Sequence, residues 1–184
     1  MSAEPFNHDT YGDDYLREIL TDVKTIAVIG ASANTVRPSY FVVKYLLSKG
    51  YQVFPINPGQ AGKEIAGAKA YASLADLPVP VDMVDIFRRA DALPGIVHEI
   101  VQMPELPKVV WLQLAIRDDA IAQALEMANI KVVQDRCPKI EYGRLCGEIA
   151  WTGFNRRTIS AKKPKLSGGY QHFSIGNRKP DKSD

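Results

Sequence analysis

Cysteine and long apolar runs are both scarce in this chain of 184 residues. Its two cysteines, Cys137 and Cys146, form neither a disulfide framework nor a CxxC metal pair, so we expect a reducing compartment and no structural zinc. No apolar run approaches the roughly 20 residues that cross a bilayer, and the acidic start MSAEPFNHDTYGDDY does not resemble a secretory signal. The sequence therefore predicts a cytoplasmic protein that does not engage a membrane.

Histidine is also rare, and no known catalytic motif is present. His8, His98 and His172 have no spacing that would make a metal site or a nucleophile–base pair. Neither a G-x-S-x-G elbow nor a Walker loop occurs. We place His8 and His172 in flexible ends and His98 on a helix face. The sequence thus predicts no metal and no catalytic residues, and it favours a binding protein over an enzyme.

Positive charge is in small excess but is unevenly distributed. The formal net charge is only +2, so composition makes nucleic-acid binding an unfavoured function. Residues 156–184 carry eight Lys/Arg and two acids, which leaves 15 basic and 19 acidic residues in the rest of the chain. We predict that this basic tail is a solvated appendage; a segment that contacts nucleic acid, acidic lipid or a protein partner is the alternative.

Apolar, β-branched runs alternate with helical patterns between residues 13 and 134. The runs are hydrophobic throughout, which is typical of parallel strands covered on both faces. The pattern predicts strands at 25–29, 52–56, 69–72, 81–87, 108–114 and 130–134, with helices at 13–23, 38–49, 90–101 and 118–127. We therefore expect an α/β, Rossmann-like three-layer sandwich with a mostly parallel sheet of five or six strands. We divide the chain into an N-terminal arm with a short helix (1–24), this domain (25–150) and a basic C-terminal tail (151–184).

The first strand is followed by a turn suited to an anion. A ligand crevice in such folds lies at the carboxyl ends of the strands. There, the amides after the strand can cradle a phosphate, with hydroxyls as donors and a guanidinium as the counter-charge. The residues concerned are Gly30, Ala31, Ser32, Arg37 and Ser39. The alternative is an ordinary strand–helix turn with a surface arginine.

The second strand ends without the acid that nicotinamide enzymes place near this point. Asn57 and Pro58 occupy the position, and no carboxylate follows until Glu64. Pro55 and Pro58 hold the segment PINPGQAG in an extended, rigid form. These residues disfavour NAD without excluding it.

The fourth and fifth predicted strands end in further candidate residues. Phe87 offers a packing surface for a ligand, and Arg88 and Arg89 offer positive charge, with at least one arginine expected to be solvated. We interpret Asp85, inside the strand, as a structural carboxylate. Gln113 is predicted to line the crevice.

Seven segments occur in an order that resembles a known family. They are IAVIGAS, RPSYFVVKYL, GYQVFPINPG, EIAGAKAYASL, VDMVDIFRR, VVWLQLAI and KVVQDRCPKIEYGRL, which together cover roughly residues 20 to 146. The chain resembles the stand-alone coenzyme A-binding proteins of bacteria and archaea, which are similar to the N-terminal coenzyme A-binding domain of succinyl-CoA synthetase α subunits.

The resemblance implies that the ligand is coenzyme A and maps its contacts onto three strand ends. The phosphate loop corresponds to Gly30, Ala31, Ser32, Arg37 and Ser39, the proline turn to Pro55, Asn57 and Pro58, and the fourth strand end to Ile86, Phe87 and Arg88. Two features depart from the synthetases: the glycine-rich turn is reduced to Gly30, and Gln60 replaces a basic residue. The phosphorylated histidine of the synthetases has no counterpart in the matching segments, so ligase activity is not implied.

The resemblance thus implies a coenzyme A or acyl-coenzyme A binding protein, acting as a sensor, a buffer or a subunit with a protein partner or a second copy. An NAD(P)-dependent oxidoreductase on the same fold is one alternative, and an interaction subunit with a vestigial crevice is another. A third is a mixed disulfide between Cys137 and the thiol of the coenzyme, because Arg136 beside it can lower the thiol pKa. The pair Cys137-Pro138 matches a Cys-Pro pair of the synthetases, which favours a structural role.

Overall fold

The computed structural model describes residues 6–146. The helices are α1 (Asp13–Asp22), α2 (Pro38–Ser48), α3 (Leu93–Val101), α4 (Asp119–Met127) and α5 (Pro138–Leu145). The strands are β1 (Thr25–Ile29), β2 (Gln52–Ile56), β3 (Glu64–Ile65), β4 (Ala68–Lys69), β5 (Met83–Ile86), β6 (Val109–Leu112) and β7 (Lys131–Val133). No described helix has the length and apolar character needed to span a membrane.

Five of the strands form one parallel sheet in the order β2-β1-β5-β6-β7. The chain places β2 on one side of β1 and then crosses to the other side to add β5. This change of direction creates a crevice above the carboxyl ends of β1 and β5, where ligands bind in open α/β sheets. The predicted Rossmann-like α/β fold is therefore confirmed.

Helices cover both faces of the sheet and explain why its strands are apolar throughout. Buried residues of α1, α2 and α5 pack on one face, against alternate strand residues that include Val28 and Trp111. Residues of α3 and α4 pack on the other face, against Ala27, Val110 and their neighbours. Trp111 is fully buried, and its indole Nε1 donates to the carbonyl oxygen of Arg136 at 2.8 Å.

The predicted third strand at 69–72 is wrong. Ala68–Lys69 pairs antiparallel with Glu64–Ile65 in a separate two-stranded sheet, and Tyr71 makes one isolated bridge to Ile56. The hairpin turns at Ala66 and Gly67, whose φ angles are 53° and 93°. Positive φ at both central residues belongs to the tight turn that joins antiparallel strands, so the chain folds back on itself. Its contact with the main sheet is the single parallel bridge at Tyr71, which bonds the backbone of Pro55 and Asn57.

The described part of the N-terminal arm packs on the domain, so the prediction that His8 lies in a flexible end is wrong. His8 is buried, and its Nδ1 shares a hydrogen bond of 2.9 Å with the Tyr11 hydroxyl. That hydroxyl accepts a hydrogen bond from the backbone amide of Gln134 at 2.7 Å. In addition, Arg117 forms an ion pair with Asp9. The arm thereby fastens to the carboxyl ends of β6 and β7. The predicted basic tail (151–184), with His172, lies outside the described residues, and the division of the chain into three parts stays a prediction.

Candidate functional site

The carboxyl ends of β1, β2 and β5 meet at Gly30. Its amide donates to the Ile56 carbonyl at 3.1 Å, and the Phe87 amide donates to the Ile29 carbonyl at 2.8 Å. Gly30 has a φ of 82°, and a Cβ atom there would lie 2.7 Å from the Phe87 carbonyl oxygen. Glycine is required here because the neighbouring strand end occupies the space of a side chain.

Asn57 ties the end of β2 to the turn after β1. Its Nδ2 donates to the Ala31 carbonyl at 2.6 Å, and its Oδ1 accepts from the Gly59 amide at 2.9 Å. The second bond caps the short 3₁₀ turn Pro58–Gln60. The asparagine thus fixes the mutual position of two loops, which an acid could not do because it lacks the amide donor.

We expect Asn57→Ala to lower the free energy of unfolding by about 1–3 kcal/mol, since one hydrogen bond between two loops and one cap of a 3₁₀ turn are lost. Asn34→Ala is the matched control, because the Asn34 Oδ1 accepts only from the nearby Val36 amide, in an exposed loop. Its effect should stay below about 1 kcal/mol. Urea unfolding of the three proteins provides the comparison, and equal losses would contradict a linking role for Asn57.

The turn after β1 leads to the exposed amino end of α2. Arg37 is the N-cap and Pro38 the first helical residue, and no side chain caps the helix. Amides of an uncapped first turn can bind an anion. Ser32 is half-buried, and its hydroxyl accepts from the Asn34 amide at 3.2 Å, whereas Ser39 is buried with an exposed fraction of 4%.

Two arginines flank the turn with their charges uncompensated. Arg37 and Arg88 are exposed, and within residues 6–146 neither has an acidic partner at ion-pair distance. A Cβ atom built on Gly30 would lie 3.3 Å from the Cδ of Arg88, so the aliphatic part of the Arg88 side chain packs beside the turn. Arg89, by contrast, lies 3.7 Å from an Asp91 carboxylate oxygen. The crevice therefore offers two guanidinium groups to an anion.

The other predicted residues lie at the same strand ends and differ in their exposure. Ala31, Pro55 and Ile86 are buried, so they support the turn from below. Phe87 is half-buried and packs on the core, while Pro58 is exposed. The eleven predicted residues thus belong to three adjacent strand ends and the start of α2; their contacts with a ligand stay a prediction.

The prediction that Gln113 lines the crevice is wrong. The side chain is buried, and its Nε2 donates to both carboxylate oxygens of Asp85, at 2.9 and 3.1 Å. Burial raises the pKa of Asp85 to about 8, and the hydrogen bond from Gln113 opposes that shift. Sequence reasoning identified Asp85 as structural but missed its partner. A polar residue at the end of an apolar strand was the available signal.

Cys137 forms the N-cap of α5, a helix that the sequence did not predict although Pro138 is a typical first helical residue. Burial raises the pKa of the Cys137 thiol, and the nearby backbone amide of Ile140 opposes the shift. A protonated, buried thiol is a poor nucleophile. This environment favours the structural role of Cys137 over the mixed disulfide.

A cleft of about 770 Å³ lies elsewhere, at the amino ends of β5 and β6. Its apolar lining includes Pro78, Val79 and Met103. The cleft lies at the amino ends of the strands, whereas Gly30 lies at their carboxyl ends, so the cleft is not part of the crevice. The part of the chain that the structure describes contains no cluster of three His, Cys, Asp or Glu residues able to hold a metal ion.

Solved structures match the fold over most of the described chain. A protein of Thermus thermophilus known as cell-free ID.343 superposes with a TM-score of 0.69 at 44% sequence identity, covering 73% of this chain and 99% of that one. A hypothetical protein from Pyrococcus horikoshii OT3 superposes with a TM-score of 0.70 at 34% identity, covering 79% and 99% of the two chains.

Sequence comparison finds relatives of two kinds. The uncharacterized protein YneT of Bacillus subtilis is 35% identical over 127 residues, which cover 69% of this chain and 91% of YneT. The α subunit of the ADP-forming acetate–CoA ligase I of Pyrococcus furiosus is 36% identical over 86 residues, but these make up only 19% of that subunit. The family described as the CoA binding domain matches residues 24–143. The chain therefore belongs to the CoA binding domain family.

Proposed function

We propose that this protein binds coenzyme A, or an acyl-coenzyme A, in the crevice above β1, β2 and β5. The observation that carries the proposal is the junction at Gly30, where a backbone turn lies between two uncompensated arginines, Arg37 and Arg88. Coenzyme A is an adenosine that bears a pyrophosphate, a 3′-phosphate and a pantetheine thiol. Its phosphates need amides and guanidinium groups, and the turn offers both.

The residues at the end of β2 favour coenzyme A over a nicotinamide dinucleotide as the ligand. Asn57 stands where nicotinamide enzymes place an acid for the ribose hydroxyls, and both ends of its amide already bond the protein. The family match supports coenzyme A, and the comparisons offer nothing in favour of an oxidoreductase. The NAD(P)-dependent reductase is therefore the weaker candidate.

We infer a binding role in the cytoplasm, with a protein partner or a second copy of the chain as an associate. The thiol of Cys137 is buried, which makes it a poor candidate for a catalytic nucleophile. The related acetate–CoA ligases carry the matching segment as a small part of larger chains, one of them named as a subunit. A coenzyme-binding unit that works with other protein parts is consistent with that arrangement.

We expect Arg37→Ala and Arg88→Ala each to weaken coenzyme A binding about 10- to 100-fold, because a charge-assisted hydrogen bond contributes roughly 1.5–3 kcal/mol. Lys24→Ala is the matched control: it also removes one exposed positive charge, but at the opposite end of β1. Its effect should stay within about twofold. Titration calorimetry on the purified full chain measures all four affinities.

The same measurement with a ligand panel separates the candidate functions. Coenzyme A and dephospho-coenzyme A are expected to bind, the second more weakly because it lacks the 3′-phosphate, and NAD and NADP are expected to give no heat. Micromolar binding of NADP without a response to coenzyme A would reject the proposal. So would arginine variants that hold coenzyme A as tightly as the unmodified protein does.

A further inference from the structure

Asp85 is a fully buried carboxyl group directly beneath the proposed crevice. Its exposed fraction is zero. It lies on β5 two residues before Phe87, within about 7 Å of the strand end along the chain. The strand register places it between Val28 of β1 and Trp111 of β6. The carboxyl group therefore lies inside the protein, at the point where the sheet changes direction.

The groups that face Asp85 from the neighbouring elements are uncharged or already paired. Gln113, directly after β6, is a neutral amide, and Cys137 at the start of α5 is a buried thiol close enough to feel the charge of Asp85. Glu141, also on α5, lies 2.8 Å from the Arg144 guanidinium. The buried residues of α1 and α2 on this side of the sheet are apolar apart from one serine: Leu16, Ile19, Leu20, Val42, Val43, Leu46 and Ser39. No cation on these elements offsets a negative charge on Asp85.

The exposed arginines of the crevice attract an anion, whereas an ionised Asp85 beneath them would repel it. Arg37 and Arg88 are exposed above the strand ends and favour an anion. An ionised Asp85 would repel that anion through a protein interior of low dielectric constant, where charges interact strongly. A bound polyanion and an ionised Asp85 therefore destabilise each other, and by linkage each reduces the population of the other.

We propose that the binding of a phosphorylated, anionic ligand in this crevice is linked to the uptake of one proton by Asp85. The inference rests on the proposed function and adds a chemical requirement to it. The proton comes from solvent and converts the carboxylate to the acid. Gln113 can accommodate either form, because its amide nitrogen donates to a carboxylate and its amide oxygen can accept from a carboxylic acid.

The test is titration calorimetry of the full chain with coenzyme A at pH 7, 8 and 9, in two buffers of different ionisation enthalpy at each pH. The secondary ionisation of a phosphate lies near pH 6, so the phosphate charge of the ligand is nearly constant in this range. With the folded pKa of Asp85 at about 8, we expect the affinity to fall roughly tenfold from pH 7 to pH 9, with net proton uptake on binding. In Asp85→Asn, the affinity should change little between pH 7 and pH 9, and the net proton uptake on binding should largely disappear.

Two further variants assign the effect to Asp85. Cys137→Ser removes the buried thiol that interacts with Asp85 and should keep the pH dependence. Gln113→Leu removes the hydrogen bond that lowers the pKa of Asp85, so the fall in affinity should move to higher pH. The coenzyme thiol titrates identically in every experiment and cancels in the comparison.

Equal pH dependence in the unmodified protein and Asp85→Asn would overturn the inference but leave the proposed function intact. A dependence lost in Cys137→Ser would also overturn it. If Asp85→Asn does not fold, Gln113→Leu decides the question. A fall in affinity that stays at the same pH in that variant would contradict the role of Asp85. Failure of the folded, unmodified protein to bind coenzyme A at any pH would contradict the proposed function itself.

Discussion

Gly30→Ala is expected to lower the free energy of unfolding by about 2–5 kcal/mol, a large loss for the addition of one methyl group. Two costs add at this position. A left-handed backbone angle costs a residue with a Cβ roughly 1–2 kcal/mol, and the φ of Gly30 is 82°. The new methyl group would also lie 2.7 Å from the Phe87 carbonyl oxygen, a backbone atom that cannot move aside cheaply, and such overpacking costs about 1–3 kcal/mol.

Gly62→Ala separates these two costs. Gly62 has a similar φ of 80°, but nothing lies within 4 Å of the position that a Cβ would take. This control should therefore lose only the conformational part, about 1–2 kcal/mol. Urea unfolding of both variants gives the difference, which measures the contact between β1 and β5. Equal losses at the two positions would show that the strand ends separate easily.

The same substitution should also damage the crevice. Relieving the contact requires the turn after β1 to move away from Phe87 and Arg88, which changes the distance between the two arginines that we assign to the phosphates. A Gly30→Ala protein that still folds is expected to bind coenzyme A at least about tenfold more weakly, the loss of one well-placed charged contact. Unchanged affinity would place the ligand elsewhere.

Asp85→Asn is expected to stabilise the protein at alkaline pH, although it replaces a buried native residue. Burial raises the pKa of Asp85 from 3.8 to about 8, against the hydrogen bond from Gln113. Below pH 4 both the folded and unfolded states hold the proton, so the carboxyl group costs nothing. Between pH 4 and pH 8 only the unfolded chain loses it, and the free energy of unfolding falls by up to about 1.4 kcal/mol per pH unit.

The asparagine variant has no proton to lose, so its advantage over the unmodified protein should grow with pH. We expect little difference at pH 4 and a gain of about 2–5 kcal/mol at pH 8.5. Urea unfolding at pH 4, 6 and 8.5 measures it. A variant that is less stable by the same amount at every pH would show that the lost carboxyl hydrogen bond, and not the charge, governs this site.

Asp82, three residues earlier in the chain, is a control because its pKa is shifted in the opposite direction to that of Asp85. Partial burial would raise its pKa, but hydrogen bonds from Lys108, Lys24 and Thr25 lower it to about 2. The stability contributed by this carboxylate is present above the unfolded pKa of 3.8 and is lost as the pH falls toward 2. Asp82→Asn should therefore destabilise the protein at neutral pH, where Asp85→Asn stabilises it.

The order of strands and helices was predictable from the sequence because it depends on local patterns. Apolar runs such as Thr25–Ile29 follow from burial on both faces of the sheet, and Gly30 marks the turn after β1. The helix α5 was missed because its apolar pattern is weak, and the strand predicted at 69–72 became a hairpin because of the turn at Ala66 and Gly67. The first error arises from weak periodicity and the second from a turn whose geometry outweighs the strand pattern.

The amino-acid sequence by itself determined the fold class and the cluster of candidate residues at three strand ends, since hydrophobic period and strand–helix alternation are properties of neighbouring residues. Only the tertiary structure decided how those residues contact one another. It placed the Phe87 carbonyl against Gly30, bonded Asn57 to Ala31, and withdrew Gln113 from the crevice to a buried carboxylate. The physical reason is that each of these contacts joins groups more than 25 residues apart, whose distance is set by sheet order and crossover packing.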